Sequence, residues 1–397
     1  MKKKLVQINV VCNGSTGRIM CDIAKKATEE GFEAYCFYGR GNPNKDVNCI
    51  KIGNKLSVYY HVFLTRLFNL HGHGSYFATK KMIKQIKNID PDVIHLHNIH
   101  GYYLNFKVLF KYLKSDYKGK IIWTLHDCWA FTGHCAHFTV AKCNKWKNCC
   151  GNCPQIKSYP KSLFIDNSKK QFLLKKEMFS NIENLIIVTP SNWLKSLVEK
   201  SFLGEYEIKV INNGIDTNIF KPTYDERIYD KYNIPKGQKI ILGVANNWYN
   251  KGLNYFLNLN NVLSSEYTIV LVGVNNKQLD ELPKNIVGVI RTDNINDLVN
   301  IYSISTVLFN PSHEETFSKV TIEAKYCGTS VIVFDTTAPK EIIDKTDCLI
   351  KNALNKTENE ISKEVFEYIS KNLKEPIINN KKYDKDIMIS NHLLLYK

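Results

Sequence analysis

Short runs of consecutive apolar residues recur along the chain, separated by stretches in which apolar positions return every three or four residues. In the first half the runs are Leu5–Val11, Ala34–Phe37, Val93–Leu96, Ile121–Leu125 and Leu185–Val188. In the second half they are Lys209–Ile211, Ile240–Val244, Thr268–Val272, Ile286–Ile290, Val307–Phe309 and Val331–Phe334. A strand apolar at successive positions is buried on both faces, and helices alternating with such strands cover parallel sheets. The pattern predicts an α/β chain of two doubly wound, Rossmann-like domains, over residues 1–203 and 204–397, facing a central cleft. The boundary is placed in SFLGEYEIKV, where Gly204 interrupts the pattern. Ligands of such sheets bind at the carboxyl ends of the strands, so the chemistry is to be sought there. From about Thr357 the chain is rich in Lys, Asn and Glu, with helical segments able to return to the first domain.

Charge sharpens the division. The 397 residues carry +16, but residues 1–200 hold 31 Lys+Arg against 13 Asp+Glu, giving +18, whereas 201–397 hold 23 against 25, giving −2. Such a field attracts polyanions: nucleic acid, an anionic membrane surface or a phosphorylated substrate. No apolar run approaches the ~18–20 residues of a membrane span. MKKKLVQINVV has the lysines of a signal peptide, but Gln7 and Asn9 interrupt it, and it reads as a first buried strand. Twelve cysteines without a secretory signal point to a cytoplasmic protein with reduced thiols or a metal site.

Four strand ends carry candidate chemistry. In VCNGSTGRI, Gly14, Ser15, Thr16 and Gly17 separate the first strand from a helix; glycines let the backbone approach a ligand, and amides at a helix start favour phosphate or sugar oxygens. The spacing matches neither the dinucleotide fingerprint nor the Walker loop. In WTLHDCWAF a strand ends at Leu125 and presents His126 and Asp127; the imidazole can orient a hydroxyl while the neighbouring carboxylate fixes its tautomer. In GVANNWYNKGLNYF, Lys251 can set its ammonium against a diphosphate. In NPSHEETFSKVTIEAKYCGTSVIVFD, Glu315 in a loop and Glu323 on the helix behind it can each accept two sugar hydroxyls, and the Phe317 and Ser318 amides suit diphosphate oxygens. A tight turn, a capping histidine, a solvated lysine and a surface glutamate pair are the plain alternatives.

At this last motif the sequence resembles the retaining family-4 glycosyltransferases of GT-B architecture, whose Glu-x7-Glu pattern, PSxxEGFGxxxxEAxAxGxPVV, stands here as Pro311-Ser312, Glu315-Thr316-Phe317-Ser318, Glu323-Ala324 and Gly328-Thr329-Ser330-Val331. YGRGNP, PDVIHLHNIHGYY, WTLHDCWAFTGHC, VTPSNWL and INNGIDTNIFKP resemble a bacterial branch that builds capsular, exopolysaccharide or colanic-acid-type chains. The resemblance implies that Glu315 contacts the transferred sugar, Glu323 the nucleotide ribose and Lys251 the diphosphate. It sets His126 beside donor sugar and acceptor and brings Gly14–Gly17 to the donor. Where the family generally has an arginine five residues before the lysine, this chain has Asn246, so Arg18 or Arg291 is left to supply the second cation; and EGFG is replaced by ETFS. The implied reaction is same-face attack by an acceptor hydroxyl through an oxocarbenium-like transition state, with no cofactor required.

CAHFTVAKCNKWKNCCGNCP, within an insertion over about 128–160, gathers five cysteines. Cys135, Cys143, Cys150 and Cys153 form the best ligand set for a structural zinc, with free or disulfide-linked thiols as the alternative. His95, His97 and His100 follow a strand; His97 and His100, with Asp127, are acceptor-side candidates, and packing roles are the alternative.

The expected function is transfer of a sugar from a nucleotide-sugar donor to a lipid-linked or other oligosaccharide acceptor in surface polysaccharide biosynthesis. The competing readings are a GT-B epimerase, a transferase with a soluble acceptor, and a basic zinc-containing nucleic-acid-binding protein. Carboxylates in the most detailed motif repel phosphate backbones and argue against nucleic acid. Basic residues interleaved with Tyr59, Tyr60, Phe63, Phe68, Tyr102 and Tyr103 in the first domain suit peripheral attachment to an anionic membrane, at the inner face of the plasma membrane.

Overall fold

A computed structural model of the chain describes residues 2–246, 248, 251–371 and 381–397. They form two compact units, Met1–Asn212 with Met388–Lys397, and Asn213–Ile387.

The first unit runs β1 (Lys4–Val11), α1 (Gly14–Glu29), β2 (Glu33–Arg40), β3 (Cys49–Lys51), α2 (Lys55–Phe68), α3 (Tyr76–Ile89), β4 (Val93–Leu96), α4 (Phe106–Ser115), β5 (Lys120–Thr124), α5 (Ser168–Phe179), β6 (Leu185–Thr189), α6 (Asn192–Val198) and β7 (Glu207–Val210). The strands are parallel in the order β3-β2-β1-β4-β5-β6-β7. Gln7 and Asn9 sit in the middle of β1 without exposure because their amides are satisfied: Gln7 Nε2 donates to the Met20 carbonyl at 2.9 Å and Asn9 Nδ2 to that of Val11 at 3.0 Å. α1 buries Ile19, Met20, Ile23, Ala24 and Ala27 at helical spacing. Its first turn is tucked so tightly under β1 that a Cβ on Gly17 would lie 2.5 Å from the Cys12 carbonyl carbon.

The second unit runs α7 (Arg227–Lys231), β8 (Lys239–Val244), α8 (Leu253–Asn260), β9 (Tyr267–Val272), α9 (Asn276–Glu281), β10 (Ile286–Val289), α10 (Ile295–Ile304), β11 (Val307–Asn310), α11 (Lys319–Tyr326), β12 (Ser330–Phe334), β13 (Cys348–Ile350) and α12 (Glu358–Ser370). Its sheet is parallel in the order β10-β9-β8-β11-β12-β13. Apolar clusters cover both faces, one around Leu242, Val270 and Leu308 and the other around Ile241, Ile269 and Phe309.

Two sequence expectations shift. The run at 209–211 lies in and just beyond β7, which pairs with β6 in register Ile187↔Ile208, so the first unit extends to Asn212 and past the expected boundary at 203. Alternating exposure of β7, an edge strand, hid that membership. The stretch 128–160 holds only short 3-10 turns, yet it is anchored by its aromatics: Phe138 stacks on Trp146 at 4.9 Å between centroids, and Phe131 packs edge-on at 5.4 Å.

The last helix, α13 (Lys385–Tyr396), places Met388, Ile389, Leu393, Leu395 and Tyr396 against Leu5, Val93, Ile122 and Val188 of the first sheet. Residues 372–380 of the tail lie outside the described residues. Because Leu393 is 1% exposed, Leu393→Ala is expected to cost about 2–5 kcal/mol, read as a lower urea midpoint for the transition of the first unit.

Candidate functional site

In each sheet the strand order reverses once, between β1 and β4 and between β8 and β11. Crossovers leave those two central strands in opposite directions, so no connection covers the gap at their carboxyl ends. The candidate residues follow these strands or their immediate neighbours.

In the second unit, Lys251 follows β8 and Glu315 follows β11. The Lys251 ammonium meets Glu315 Oε1 at 2.5 Å, with the carboxylate side chain 10% exposed and the lysine 35%. Gly252 sets this approach: it adopts φ +78°, and a Cβ there would come within 2.8 Å of Pro311. Only glycine lets the turn lie on the β11 loop at that backbone angle. Glu315 is held through its main chain, donating its N–H to Thr337 Oγ1 at 3.1 Å and accepting from the Ala338 amide at 3.3 Å. Asn310, Ser318 and Thr321 close the loop below in a buried network: Asn310 Nδ2 donates to Ser318 Oγ at 2.9 Å and Thr321 Oγ1 at 3.2 Å. The Ser318 hydroxyl is therefore engaged by Asn310 and Thr321 at the start of α11. The Phe317 ring packs on Tyr383, and Thr316 is half-buried beside it. Glu323 Oε2 accepts from the buried Tyr302 hydroxyl at 3.1 Å, which orients it from α10. Asn246 and Arg291 are exposed beyond the ends of β8 and β10.

In the first unit the helix begins at Gly14, so Ser15, Thr16 and Gly17 form the first turn of α1 rather than a loop before it. Thr16 Oγ1 accepts from Asn9 Nδ2 at 3.3 Å. His126 follows β5 and His97 follows β4. With Gln7 Nε2 given to Met20, Gln7 Oε1 accepts from His97 Nε2 at 3.0 Å; His97 then accepts at Nδ1 from His126 Nε2–H at 3.2 Å. The relay assigns His126 the Nε2–H tautomer, with its lone pair on Nδ1.

This corrects two expectations. Asp127 does not orient His126: its Oδ2 lies 2.7 Å from His100 Nε2, and its Oδ1 accepts the Trp129 amide at 2.8 Å. Burial favours its neutral form, but His100 prevails and holds the carboxyl at about 2. His97 does not face an acceptor either, being 1% exposed and committed on both ring nitrogens; it positions His126. Gln7 carried no signal in the sequence except as a polar break in an apolar strand. Tyr255, whose hydroxyl lies 2.8 Å from His313 Nε2, and Thr337 were equally silent.

Cys135, Cys143, Cys150 and Cys153 line one cavity of about 20 Å³ with Phe138 and Trp146. The Gly133 amide donates to Cys150 Sγ at 3.2 Å. Their ligand atoms do not approach as closely as those of Cys12, Cys21 and Cys49, which all lie within 4.8 Å of one another. Beside the cavity Lys175 is buried, giving its ammonium to the Trp129 and Thr132 carbonyls at 2.7 and 3.0 Å, with no ion pair among the described residues.

Two doubly wound parallel sheets in one chain, each gathering polar groups at its strand reversal, define the GT-B class of paired Rossmann-like domains. The chain belongs to glycosyltransferase family 4: the model of that family matches residues 16–219, and that of glycosyl transferases group 1 matches residues 225–384. It is similar to "Putative colanic acid biosynthesis glycosyl transferase WcaC" of Escherichia coli (strain K12), 29% identical over 226 residues that cover 53% of this chain and 54% of that protein. The chain thus spans about half the length of that relative. Among solved structures, a glycosyltransferase from Rickettsia africae ESF-5 aligns with a TM-score of 0.68 at 16% identity, covering 100% of this chain and 98% of that one. Anabaena HepE, in complex with UDP and glucose, aligns with a TM-score of 0.64 at 13% identity, covering 99% and 98%.

Burial holds His61, His126 and His392 down to about 3, 4 and 3, from an ordinary value of 6.5. A histidine with a depressed folded pKa binds fewer protons folded than unfolded. Its contribution is present above the unfolded value and is lost as pH falls towards the folded one, by about 1.4 kcal/mol per pH unit for each group. Urea midpoints are therefore expected to fall steadily between about pH 6.5 and 4; a flat profile would contradict neutral burial.

Proposed function

We propose that the protein transfers a sugar, with retention at the anomeric carbon, from a nucleotide-sugar donor to a lipid-linked oligosaccharide during synthesis of a surface polysaccharide. The observation that carries this reading is the Lys251–Glu315 pair at the strand reversal of the second unit, where a cation for a diphosphate and a carboxylate for sugar hydroxyls come from adjacent strands. The colanic acid pathway named for the WcaC relative and the UDP and glucose bound to HepE support it.

In this reading Glu323 takes the ribose hydroxyls, the Phe317 and Ser318 amides and Lys251 take the diphosphate, and Glu315 takes the transferred sugar. Asn246, and Arg291 as a second cation, complete the donor side in the second unit, and the first turn of α1 offers amides that a helix start leaves without intrahelical partners. Neutral His126, fixed by His97 and Gln7, orients a hydroxyl. As the bond from the anomeric carbon to the diphosphate oxygen breaks, its electron pair stays on that oxygen. The acceptor oxygen bonds the same face of the carbon, and the acceptor's proton passes to the departing diphosphate. Lys251 stabilises the charge that develops there.

Binding and slow hydrolysis of a panel of nucleotide sugars tests this. One donor is expected to bind, and Lys251→Ala to lower kcat by about 100- to 1000-fold with unchanged folding. A panel in which nothing binds would overturn the reading.

The lipid-linked acceptor rests on α2. Leu56, Tyr59, Tyr60 and Phe63 lie at helical spacing on one exposed face, followed by Phe68, with Lys55 and Arg66 on the same helix. Aromatic and basic groups on one exposed helix suit the surface of an anionic bilayer, consistent with residence at the inner face of the plasma membrane. Tyr102 and Tyr103, at 8% and 0% exposure, belong to the core and not to this face. No helix among the described residues is long and apolar enough to cross a membrane. Flotation with anionic vesicles is expected to be salt-sensitive and weakened in Tyr59→Ser/Phe63→Ser, and equal binding to neutral vesicles would exclude this account.

A structural zinc on Cys135, Cys143, Cys150 and Cys153 belongs to the same reading. Thiolates there would supply the counter-charge that buried Lys175 otherwise lacks.

A further inference from the structure

A second thiol group lies outside the transfer machinery. Cys12 immediately follows β1, Cys21 lies on α1, and Cys36 and Cys49 are register partners on β2 and β3. They converge on one face at the edge of the first sheet, in an apolar pocket with Met20 and Tyr38. The sulfurs of Cys12, Cys21 and Cys49 lie within 4.8 Å of one another, Cys12 and Cys49 at 3.0 Å. Cys21 Sγ donates to the Cys12 carbonyl at 3.3 Å.

We propose that Cys12, Cys21 and Cys49, with Cys36 as the fourth ligand, form a binding site for a thiophilic divalent cation, Zn²⁺ or Cd²⁺. Zinc–thiolate bonds of about 2.3 Å in a tetrahedron set sulfurs about 3.8 Å apart, so the three need move by no more than about 1 Å. Burial pushes the Cys49 thiol up to about 12, so the incoming cation itself has to displace the protons. Cys12 immediately precedes Asn13, the N-cap of the 16-residue helix α1, whose positive end favours negative charge nearby. Carboxylate and imidazole ligands are absent from the group, which selects against hard cations. Binding is not a redox step: each thiol releases its proton to solvent, its sulfur donates an electron pair to the cation, and the cation keeps its charge. The bound ion would join β1, α1 and both outer strands directly below the Gly14–Gly17 turn. This inference does not rest on glycosyl transfer.

The test uses the full chain, reduced with a phosphine and stripped of metal, titrated with Cd²⁺ against a competing chelator while thiolate-to-metal charge-transfer absorption and proton release are followed. Expected is one more equivalent bound by the wild type than by Cys49→Ala, with about a 100-fold loss of affinity at that site. Cys49 lies half-buried on a short edge strand, so Cys49→Ala leaves the core intact. Cys49→His, which restores a zinc ligand, is expected to regain Zn²⁺ binding. Equal stoichiometry in wild type and Cys49→Ala would overturn the site. A Cys12–Cys49 disulfide found by mass spectrometry in protein handled without reductant, with no metal taken up after reduction, would overturn it as well.

Discussion

A parallel strand can be followed by another only through a crossover that returns to the amino end of the sheet, and crossovers keep one hand. Where successive crossovers set off in opposite directions, the two central strands end without a lid. That constraint acts twice here, at β1/β4 and at β8/β11, and it decides where polar chemistry can exist in a molecule whose strands are otherwise buried on both faces. Lys251 and Glu315 meet because β8 and β11 are hydrogen-bonded neighbours, in register Val307↔Ile241, while 64 residues separate them in the chain. The Gln7, His97 and His126 relay exists for the same reason, each residue coming from one of three successive strands, β1, β4 and β5.

What could be read from the sequence follows from how local each signal is. Most strands were legible because parallel burial writes continuous apolar runs, and the places of Lys251 and Glu315 beyond β8 and β11 because each follows such a run. Of the edge strands, β10 was legible from its run, but β3 and β13 have three residues each, and β7 alternates, so that only its last residues were marked. Partner choice was also hidden. Asp127 adjoins His126 in sequence but turns to His100, because a strand end sends consecutive side chains in different directions. Gln7 looked like an interruption and proved to be the group that sets the tautomer of His126. Two thiol groups were present from the start, yet only the dense run near residue 140 was visible. Cys12, Cys21, Cys36 and Cys49 are gathered by the sheet, and no spacing announces them.

The basicity of the first half coexists with a set of histidines that stay uncharged. His95, His97, His126 and His392 are stripped of water and lie near one another, so each would repel a proton on the next. Positive charge is thereby kept on surface lysines, while the strand reversal of the first unit holds neutral donors and acceptors. For a polyhydroxylated ligand this matters, since sugar hydroxyls need directional partners more than charge.

The last ten residues, 388–397, belong to the first unit and fill the outer face of its sheet beside Leu5, Val93 and Ile122. During synthesis the amino-terminal sheet therefore waits, with that face covered by α1 but not by α13, while the whole intervening unit is made. The second unit, contiguous from 213 to 387, has no such delay. The order of completion is the reverse of the order of translation, and the interval of about 175 residues, at roughly 5–20 residues per second, amounts to about 10–35 s in which an unfinished apolar face must be shielded.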